Sequence, residues 1–552
     1  MNTTKKAVKL IAEICRRKGI RKVVFSPGSR SAPLVIAFSQ ITEIECLVIP
    51  DERVAGYFAL GMAQQLRETV AVVCTSGTAV LNLAPAVCEA YYQQLPLLII
   101  TADRPVDVIG LGENQAIDQL EVYANFIRHS FVVSEDDDLD WVANAITKAV
   151  DATFIPALGP VHVNIHLKEP LYDFSEEDEE IKLPLTGHMS ASFTTEEFEQ
   201  VNDLQEPEKV MLVCGMNEPD AELNAVINQL LVASNIVVVK ETTSNIHPTQ
   251  SISNIDACLD LMKEKHAASF VPGLLITIGK QIVSKKLKQF LKKHPPARHI
   301  QIALQSESWN FIPAENYTHI KADPIQVLPL LRPENDSAYL LQWQALADKA
   351  TVAARGYLNK AEYSDLKVFE TLVQSFPEGA NIQYGNSTPI RYSNLFEHKN
   401  SLTVNSNRGT SGIDGCVSTA AGAAHVNEKL TVCIIGDVSF FYDSNALWNN
   451  YLSPDLRIVI VNNSGGNIFR LIDGPNKVNE FEKFFETRHN LSAKHLGAMY
   501  GIPYYFCDHQ SGLDEILKTF YQPQNGKPAI LEIKTDSVLS AAVYKGYFES
   551  LK

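Results

Sequence analysis

No run of 18 apolar residues occurs anywhere in this 552-residue chain, so no membrane-spanning helix is expected. Positive charge is in deficit. Lys and Arg number 48 against 64 Asp and Glu, a formal charge of −16, which argues against nucleic acid or an anionic membrane surface as the main partner. An anionic small substrate stays open, because a local basic pocket can sit in an acidic protein. The nine cysteines are scattered singly, with no CxxC pair. Cys74, Cys88, Cys258 and Cys433 lie in apolar surroundings and read as buried thiols of a reducing compartment. No secretory leader is visible, since MNTTKKAVKLIAEICRRKG reads as an amphipathic helix, and the cytoplasm is the expected location. What is present is ordinary globular composition, 45% hydrophobic and 20% charged, in a chain too long for one core and suited to about three domains.

Repeated strand–helix units with short connections predict an α/β fold of three similar domains with mostly parallel sheets, at 1–184, 206–335 and 364–552. In the first, helix Lys6–Lys18 precedes strands Lys22–Phe25, Glu45–Ile49, Thr69–Thr75 and Leu97–Thr101, and a buried strand within 159–172 closes the unit. Polar residues fall at the strand ends, where open α/β sheets bind ligands. They are Ser29 and Arg30 in SPGSRSAP, Glu52 in PDER, Thr75 in TSGT, Arg104 in TADRP, and Asn114 and Gln115 in GENQAIDQ. Ser31 is placed to cap a helix, and Glu52 in a first turn is also what a helix dipole favours. The acidic run 175–180 reads as a solvated linker. The middle stretch has no phosphate loop. It offers instead a helix capped by Ser284 whose first turn carries Lys285 and Lys286, against the dipole, so something anionic should compensate them. Residues 336–360 read as a long helical connection.

The stretch from Thr431 to Phe469 organises the last domain. The apolar runs Leu430–Ile435 and Ile458–Val461 stop at Gly436-Asp437 and Asn462-Asn463. Asp437, Asn463 and a carbonyl at Gly465 would offer hard oxygen donors of mixed charge, suited to Mg²⁺ or Ca²⁺ bound together with ligand phosphates. Gly465 and Gly466 let backbone N–H groups turn toward a phosphate. Arg391 and Arg408 follow small loop residues, in GNSTPIR and SNRGTSGIDG.

A GD pair followed at this distance by NN resembles the magnesium signature of thiamine diphosphate enzymes, although Val438 stands where those enzymes usually have Gly. Taken in order, SPGSRSAP, PDER, TSGTA, TADRP, ENQAI, GPVHVN, GNS, SNRGTSGIDG, GDVSF and NNSGGNIF span nearly the whole chain. Together they resemble the 2-succinyl-5-enolpyruvyl-6-hydroxy-3-cyclohexene-1-carboxylate synthase family of bacterial menaquinone formation. The resemblance implies the thiamine-diphosphate-binding fold: a pyrimidine-binding first domain, a largely structural middle one and a diphosphate-binding last one. Active sites then form between subunits of an obligate homodimer or homotetramer. It implies decarboxylation of 2-oxoglutarate and addition of the succinyl carbanion to isochorismate, with Mg²⁺ or alternatively Mn²⁺. By the same resemblance Glu52 activates the cofactor, while Thr75, Ser387, Ile413, Gly436, Asp437, Val438, Ser439, Asn463, Gly465 and Gly466 bind it. Ser387, Arg391 and Arg408 receive 2-oxoglutarate. Ser29, Arg30, Arg104, Asn114, Gln115, Lys285 and Lys286 lie on the isochorismate side, where some relatives carry Arg at the position of Lys286. A carboligase of the acetolactate synthase type is the competing enzyme, but it acts on smaller keto acids and needs fewer cationic loop residues. A non-catalytic relative should have lost Glu52, Asp437 or Asn463, and all three are present.

Overall fold

The computed structural model describes residues 2–175, 209–305, 312, 316–331, 337–472 and 474–552. Three separate parallel sheets, of six, five and six strands, carry the molecule. In the first, strands Lys22–Phe25, Glu45–Val48, Val70–Cys74, Leu97–Asp103, Ser130–Ser134 and Val161–His166 lie in the spatial order 2-1-3-4-6-5. The last sheet repeats that order with Asn381–Tyr384, Thr403–Ser406, Thr431–Gly436, Leu456–Asn462, Tyr504–Cys507 and Ala529–Lys534. The middle sheet, Val210–Cys214, Val237–Lys240, Leu274–Ile278, Arg298–Ile302 and Asn316–Ile320, runs 2-1-3-4-5. A lone antiparallel pair joins Asn2–Thr3 to Phe174–Ser175. Central strands such as Val70–Cys74, Val210–Cys214 and Leu456–Asn462 are buried along their whole length, as expected for parallel strands covered by helices on both faces.

Each sheet lies within one of the three expected intervals, which stand as the proposed domain limits. The ends at 184, 206 and 335, and nearly all of the acidic run 175–180, fall outside the described residues. The short strands at 130–134, 381–384, 403–406 and 504–507 carry weak apolar patterns and were not expected from the sequence. The helical connection is Ser337–Leu358; its buried stripe Tyr339, Trp343, Leu346, Ala350, Ala354 and Leu358 recurs at helical spacing. Ser31 is not a cap: its hydroxyl donates to Gly28 O at 3.0 Å. Of the four thiols read as buried, Cys88 is half-exposed while Cys74, Cys258 and Cys433 are buried. Among the described residues no helix is long and apolar enough to cross a membrane.

First and last sheets are locked together by helices Glu52–Leu66 and Cys416–Val426. A Cβ on Gly61 would come 2.0 Å from Thr419 O, and one on Gly422 would come 1.9 Å from Phe58 O. Only glycine permits that backbone contact. In this topology the strand order reverses between strands 1 and 3 of each sheet, and the crevice beyond their C-terminal ends is the general ligand position. In the middle sheet the two loops leaving that crevice bond to each other, Met216 N to Gln281 O and Lys280 N to Met216 O. The crevices of the first and last sheets carry the polar residues.

Candidate functional site

At the last sheet, Thr431–Gly436 runs straight into the short helix Asp437–Tyr442 and leaves the Asp437 carboxylate buried at the strand end. Its Oδ1 accepts from Val438 N at 2.8 Å and its Oδ2 from Gly465 N at 2.9 Å, with His489 Nε2 at 3.3 Å from Oδ2. Gly465 has φ +155°, and a Cβ there would sit 2.6 Å from Glu486 O, so the chain reaches Asp437 only with glycine at this point. Its carbonyl accepts from Asn467 N at 2.9 Å and keeps a second lone pair.

Asn463 donates its amide Nδ2 to Asp365 at 2.9 Å, and Asn467 does the same at 3.2 Å. The Oδ1 atoms of both asparagines are buried without a partner among the described residues. Orphaned buried acceptors are uncommon, and two of them next to a carboxylate fit a hard divalent cation and the phosphates it bridges. Ser439 Oγ donates to Ile413 O at 2.8 Å, tying the loop of half-buried Ile413 to the Asp437 helix. Ser387, Ser411 and Ser464 all hold positive φ, at +74°, +65° and +68°. Backbone strain of this kind concentrates at functional sites, and these three loops leave the same sheet edge.

Two arginines flank that edge. Arg391 donates to Ser387 O at 2.6 Å. Arg408 is buried; among the described residues its side chain bonds Asn386 Oδ1 at 3.3 Å and its Nε has no partner. Burial holds both guanidiniums below their ordinary pKa, and for Arg408 the neighbouring Arg391 adds to the effect. Glu241 and Glu89 lie in range of Arg408 and Asp256 in range of Arg391, but among the described residues no ion pair is made to either guanidinium, an arrangement suited to a carboxylate.

A cavity of about 570 Å³ opens beside Arg391, lined also by Lys285, Lys286, Ile468, Tyr544 and Phe548. Ser284 caps the lysine helix through Leu287 N at 2.9 Å, as expected. The compensating anions are the protein's own. Glu241 accepts from Val283 N at 2.5 Å and Ser284 N at 2.6 Å, and Asp256 accepts from Ser284 Oγ. Burial pushes Glu241 up to about 7. Lys285 is exposed, whereas Lys286 is paired with Asp260 and lies 3.3 Å over the Phe548 ring.

The first sheet gathers the second group. Arg30 is buried, donating to Leu167 O at 3.0 Å and Glu169 Oε1 at 2.9 Å, and Arg104 donates to Asn114 O at 2.7 Å. Both leave a buried Nε unpartnered, as do the hydroxyls of Ser26, Thr75 and Ser76 at the ends of strands 1 and 3. A Cβ on Gly28 would lie 2.2 Å from Thr75 Cβ, so this crevice is narrow. Ser29, Asn114 and Gln115 are exposed at its rim. Glu52 is half-buried in the first turn of its helix, where Asp51, not Glu52, accepts the capping bond from Val54 N at 3.2 Å. Its charge reaches the Cys74 thiol at the end of strand 3, which is pushed up chiefly by burial and further by Glu52. Arg53 donates to Tyr442 O at 3.0 Å and Asp51 accepts from Asn445 at 2.8 Å, so this helix start meets its own chain beyond the Asp437 helix. Among the described residues no hydrogen bond or ion pair links Glu52, Arg30 or Arg104 to Asp437, Asn463, Arg391 or Arg408.

Sequence reasoning missed the buried carboxylates behind these loops. Asp365 collects Asn463 and Asn467. Glu532 accepts from Asn462 Nδ2 at 2.5 Å. Glu89 accepts from Gly409 N at 2.8 Å and Thr410 N at 2.7 Å, fixing the loop after Arg408. Each is an isolated acid in a helix or strand with no local motif to mark it.

Two family models match the chain: the thiamine pyrophosphate enzyme N-terminal TPP binding domain over residues 5–122, and the C-terminal TPP binding domain over 385–533. Curated relatives named 2-succinyl-5-enolpyruvyl-6-hydroxy-3-cyclohexene-1-carboxylate synthase are similar from end to end. The protein of Flavobacterium johnsoniae is 39% identical and that of Christiangramia forsetii 37%, each with 98% of both chains covered. That of Porphyromonas gingivalis is 36% identical over 99% of this chain and 97% of its own. With the matched domains falling on the two polar sheet edges, the chain belongs to the 2-succinyl-5-enolpyruvyl-6-hydroxy-3-cyclohexene-1-carboxylate synthase family of thiamine-diphosphate-dependent enzymes.

Proposed function

We propose that this chain decarboxylates 2-oxoglutarate and joins the succinyl fragment to isochorismate, as a carbon–carbon bond-forming transferase of menaquinone formation. The observation that carries the reading is the pair of arginines, Arg391 and Arg408, that make no ion pair among the described residues, at the sheet edge that also presents Asp437 and the orphaned Asn463 oxygen. Thiamine diphosphate, when bound, supplies the electron sink that a decarboxylating 2-oxo acid needs and that side chains cannot offer.

Asp437, Asn463 and the Gly465 carbonyl would hold Mg²⁺ or Mn²⁺, and Gly436, Val438, Ser439 and Gly466 would border the diphosphate. Ile413 gives an apolar support to the cofactor, and Thr75 borders its pyrimidine. Glu52 holds a proton at the pyrimidine N1′, a role that needs a carboxyl group rather than an amide. Arg391 and Arg408, with Ser387, orient the two carboxylates of 2-oxoglutarate. Ser29, Arg30, Arg104, Asn114, Gln115, Lys285 and Lys286 receive isochorismate, and Lys286 must then exchange Asp260 for substrate. That no hydrogen bond or ion pair joins Glu52 to Asp437 among the described residues supports a site completed by a second copy, in a cytoplasmic homodimer or homotetramer.

Incubation of the protein with 2-oxoglutarate, isochorismate, thiamine diphosphate and Mg²⁺, followed by mass analysis, tests the reading. A product carrying isochorismate plus the succinyl fragment is expected. Carbon dioxide release with pyruvate instead of 2-oxoglutarate, and no coupled product, would move the chain to the acetolactate type.

A further inference from the structure

We propose that Asp365 is the positioning residue that aims Asn463 at the metal. This inference rests on the reading of Asn463 as a metal ligand. Asp365 opens the helix Asp365–Ser375 and is 1% exposed. Its Oδ2 accepts from Asn463 Nδ2 at 2.9 Å and from Asn467 Nδ2 at 3.2 Å. Its Oδ1 accepts from Thr535 Oγ1 at 2.6 Å and from Ser540 Oγ at 3.2 Å. Four donors from two separate segments, 463–467 and 535–540, therefore converge on one buried carboxyl group.

An asparagine side chain has two nearly isosteric ends of opposite character. Left unanchored, it can present either an oxygen or an NH₂ group to a cation, and only the oxygen binds. Asp365 Oδ2 accepts from both asparagines, so it captures the NH₂ end of Asn463 and turns Oδ1 the other way. The structure bears the mark of that selection twice, since the Oδ1 atoms of Asn463 and Asn467 are both buried without a partner. Donation to a carboxylate also draws electron density toward the amide oxygen, and such supporting contacts orient and tune metal ligands generally. Asn467 is held by the same oxygen.

The test uses the full chain with thiamine diphosphate and Mn²⁺, with free Mn²⁺ read from its electron paramagnetic resonance signal. Three variants are compared with wild type: Asp365→Asn, Asn463→Asp, and the two together. Asp365→Asn keeps volume but offers one neutral amide oxygen in place of a carboxyl group that accepts on both oxygens, so the NH₂ groups of Asn463 and Asn467 lose a carboxylate anchor or face an NH₂ group, and Mn²⁺ affinity should fall about 10- to 100-fold. Asn463→Asp sets two carboxylates face to face and should bind poorly as well. In the double variant the amide introduced at position 365 donates to the carboxylate introduced at position 463. The second oxygen of that carboxylate again points at the metal, and affinity should recover above both single variants. A merely structural role would lower thermal stability without this reciprocal recovery. Unchanged Mn²⁺ affinity in Asp365→Asn, or a double variant no better than the singles, overturns the proposal. If Asp365→Asn does not fold, the comparison of Asn463→Asp with the double variant decides. Wild type that binds no Mn²⁺ with thiamine diphosphate would remove the metal site itself, a failure distinct from that of Asp365 alone.

Discussion

Glu52 is a single carboxylate with two incompatible job descriptions, and substitution separates them. As a first-turn residue it interacts with the helix dipole, so Glu52→Gln would cost up to about 1 kcal/mol of stability and leave the chemistry intact. As the group holding a proton at the pyrimidine N1′, it cannot be replaced by an amide. We expect exchange of the thiazolium C2 proton, followed by NMR after acid quench, to slow by several orders of magnitude with folding and cofactor binding little changed. Wild-type exchange in the variant would return Glu52 to the helix. The arginines divide in a similar way. Loss of Arg408 removes a charge-assisted contact of about 1.5–3 kcal/mol. Arg408→Ala should therefore slow single-turnover decarboxylation of 2-oxoglutarate without isochorismate, or weaken its binding. Arg30→Ala should spare that half-reaction and impair the coupling step. Equal slowing by both would show that the cationic residues are not split between substrates.

Two elements make forecasts that do not depend on the chemistry. Helices Glu52–Leu66 and Cys416–Val426 touch backbone to backbone, and the Cβ of Gly422→Ala would fall 1.9 Å from Phe58 O. The helices must separate, at a cost of about 1–3 kcal/mol by chemical denaturation. Gly356→Ala, in helix Ser337–Leu358 with no atom within 4 Å of the new Cβ, should instead stabilise by about 0.4–1 kcal/mol. If both changes act alike, the close packing of the two helices is not what the glycines serve. The start of helix Lys285–Lys293 hangs on Glu241, whose pKa burial raises from 4.5 to about 7. Between those pH values the unfolded chain has released its proton and the folded one has not, so Glu241 lowers stability as pH rises through that window. Glu241→Gln should therefore gain stability relative to wild type from pH 4.5 to 7 and show a constant difference above it. A difference that does not change across the window would show that Glu241 ionises normally in the fold.

At the scale of the molecule, the two halves of the chemistry lie on different sheets that pack together within one chain, yet among the described residues no hydrogen bond or ion pair joins Glu52 to Asp437 or Asn463. If each site takes Glu52 from one copy and Asp437 from another, inactive chains should complement. Glu52→Gln and Asp437→Ala, unfolded and refolded together in equal amounts, would give mixed dimers with one intact site and one doubly defective. About a quarter of wild-type activity is then expected, since half the dimers are mixed and one of their two sites is whole. Sites built within single chains would give none. The duplicated strand order 2-1-3-4-6-5 makes the pairing intelligible: two sheets of one design present equivalent crevices, one in each of the two matched thiamine pyrophosphate binding domains.

The amino-acid sequence by itself determined the parallel α/β sheets, the strand-end positions of Asp437, Asn463, Arg30 and Arg104, and the family. Those features depend on residues adjacent along the chain: an apolar run, then a small or charged residue at its end. Ser284 as a cap was equally legible, because a cap and its target are three residues apart. Only the tertiary structure decided what stands behind these residues. Asp365 and Asn463 are 98 positions apart, Glu89 and Gly409 are 320 apart, and Glu241 meets Ser284 across 43. A lone acid in a helix carries no local sign of its partner, because its hydrogen bonds exist only once separate sheets and helices have packed and excluded water around it.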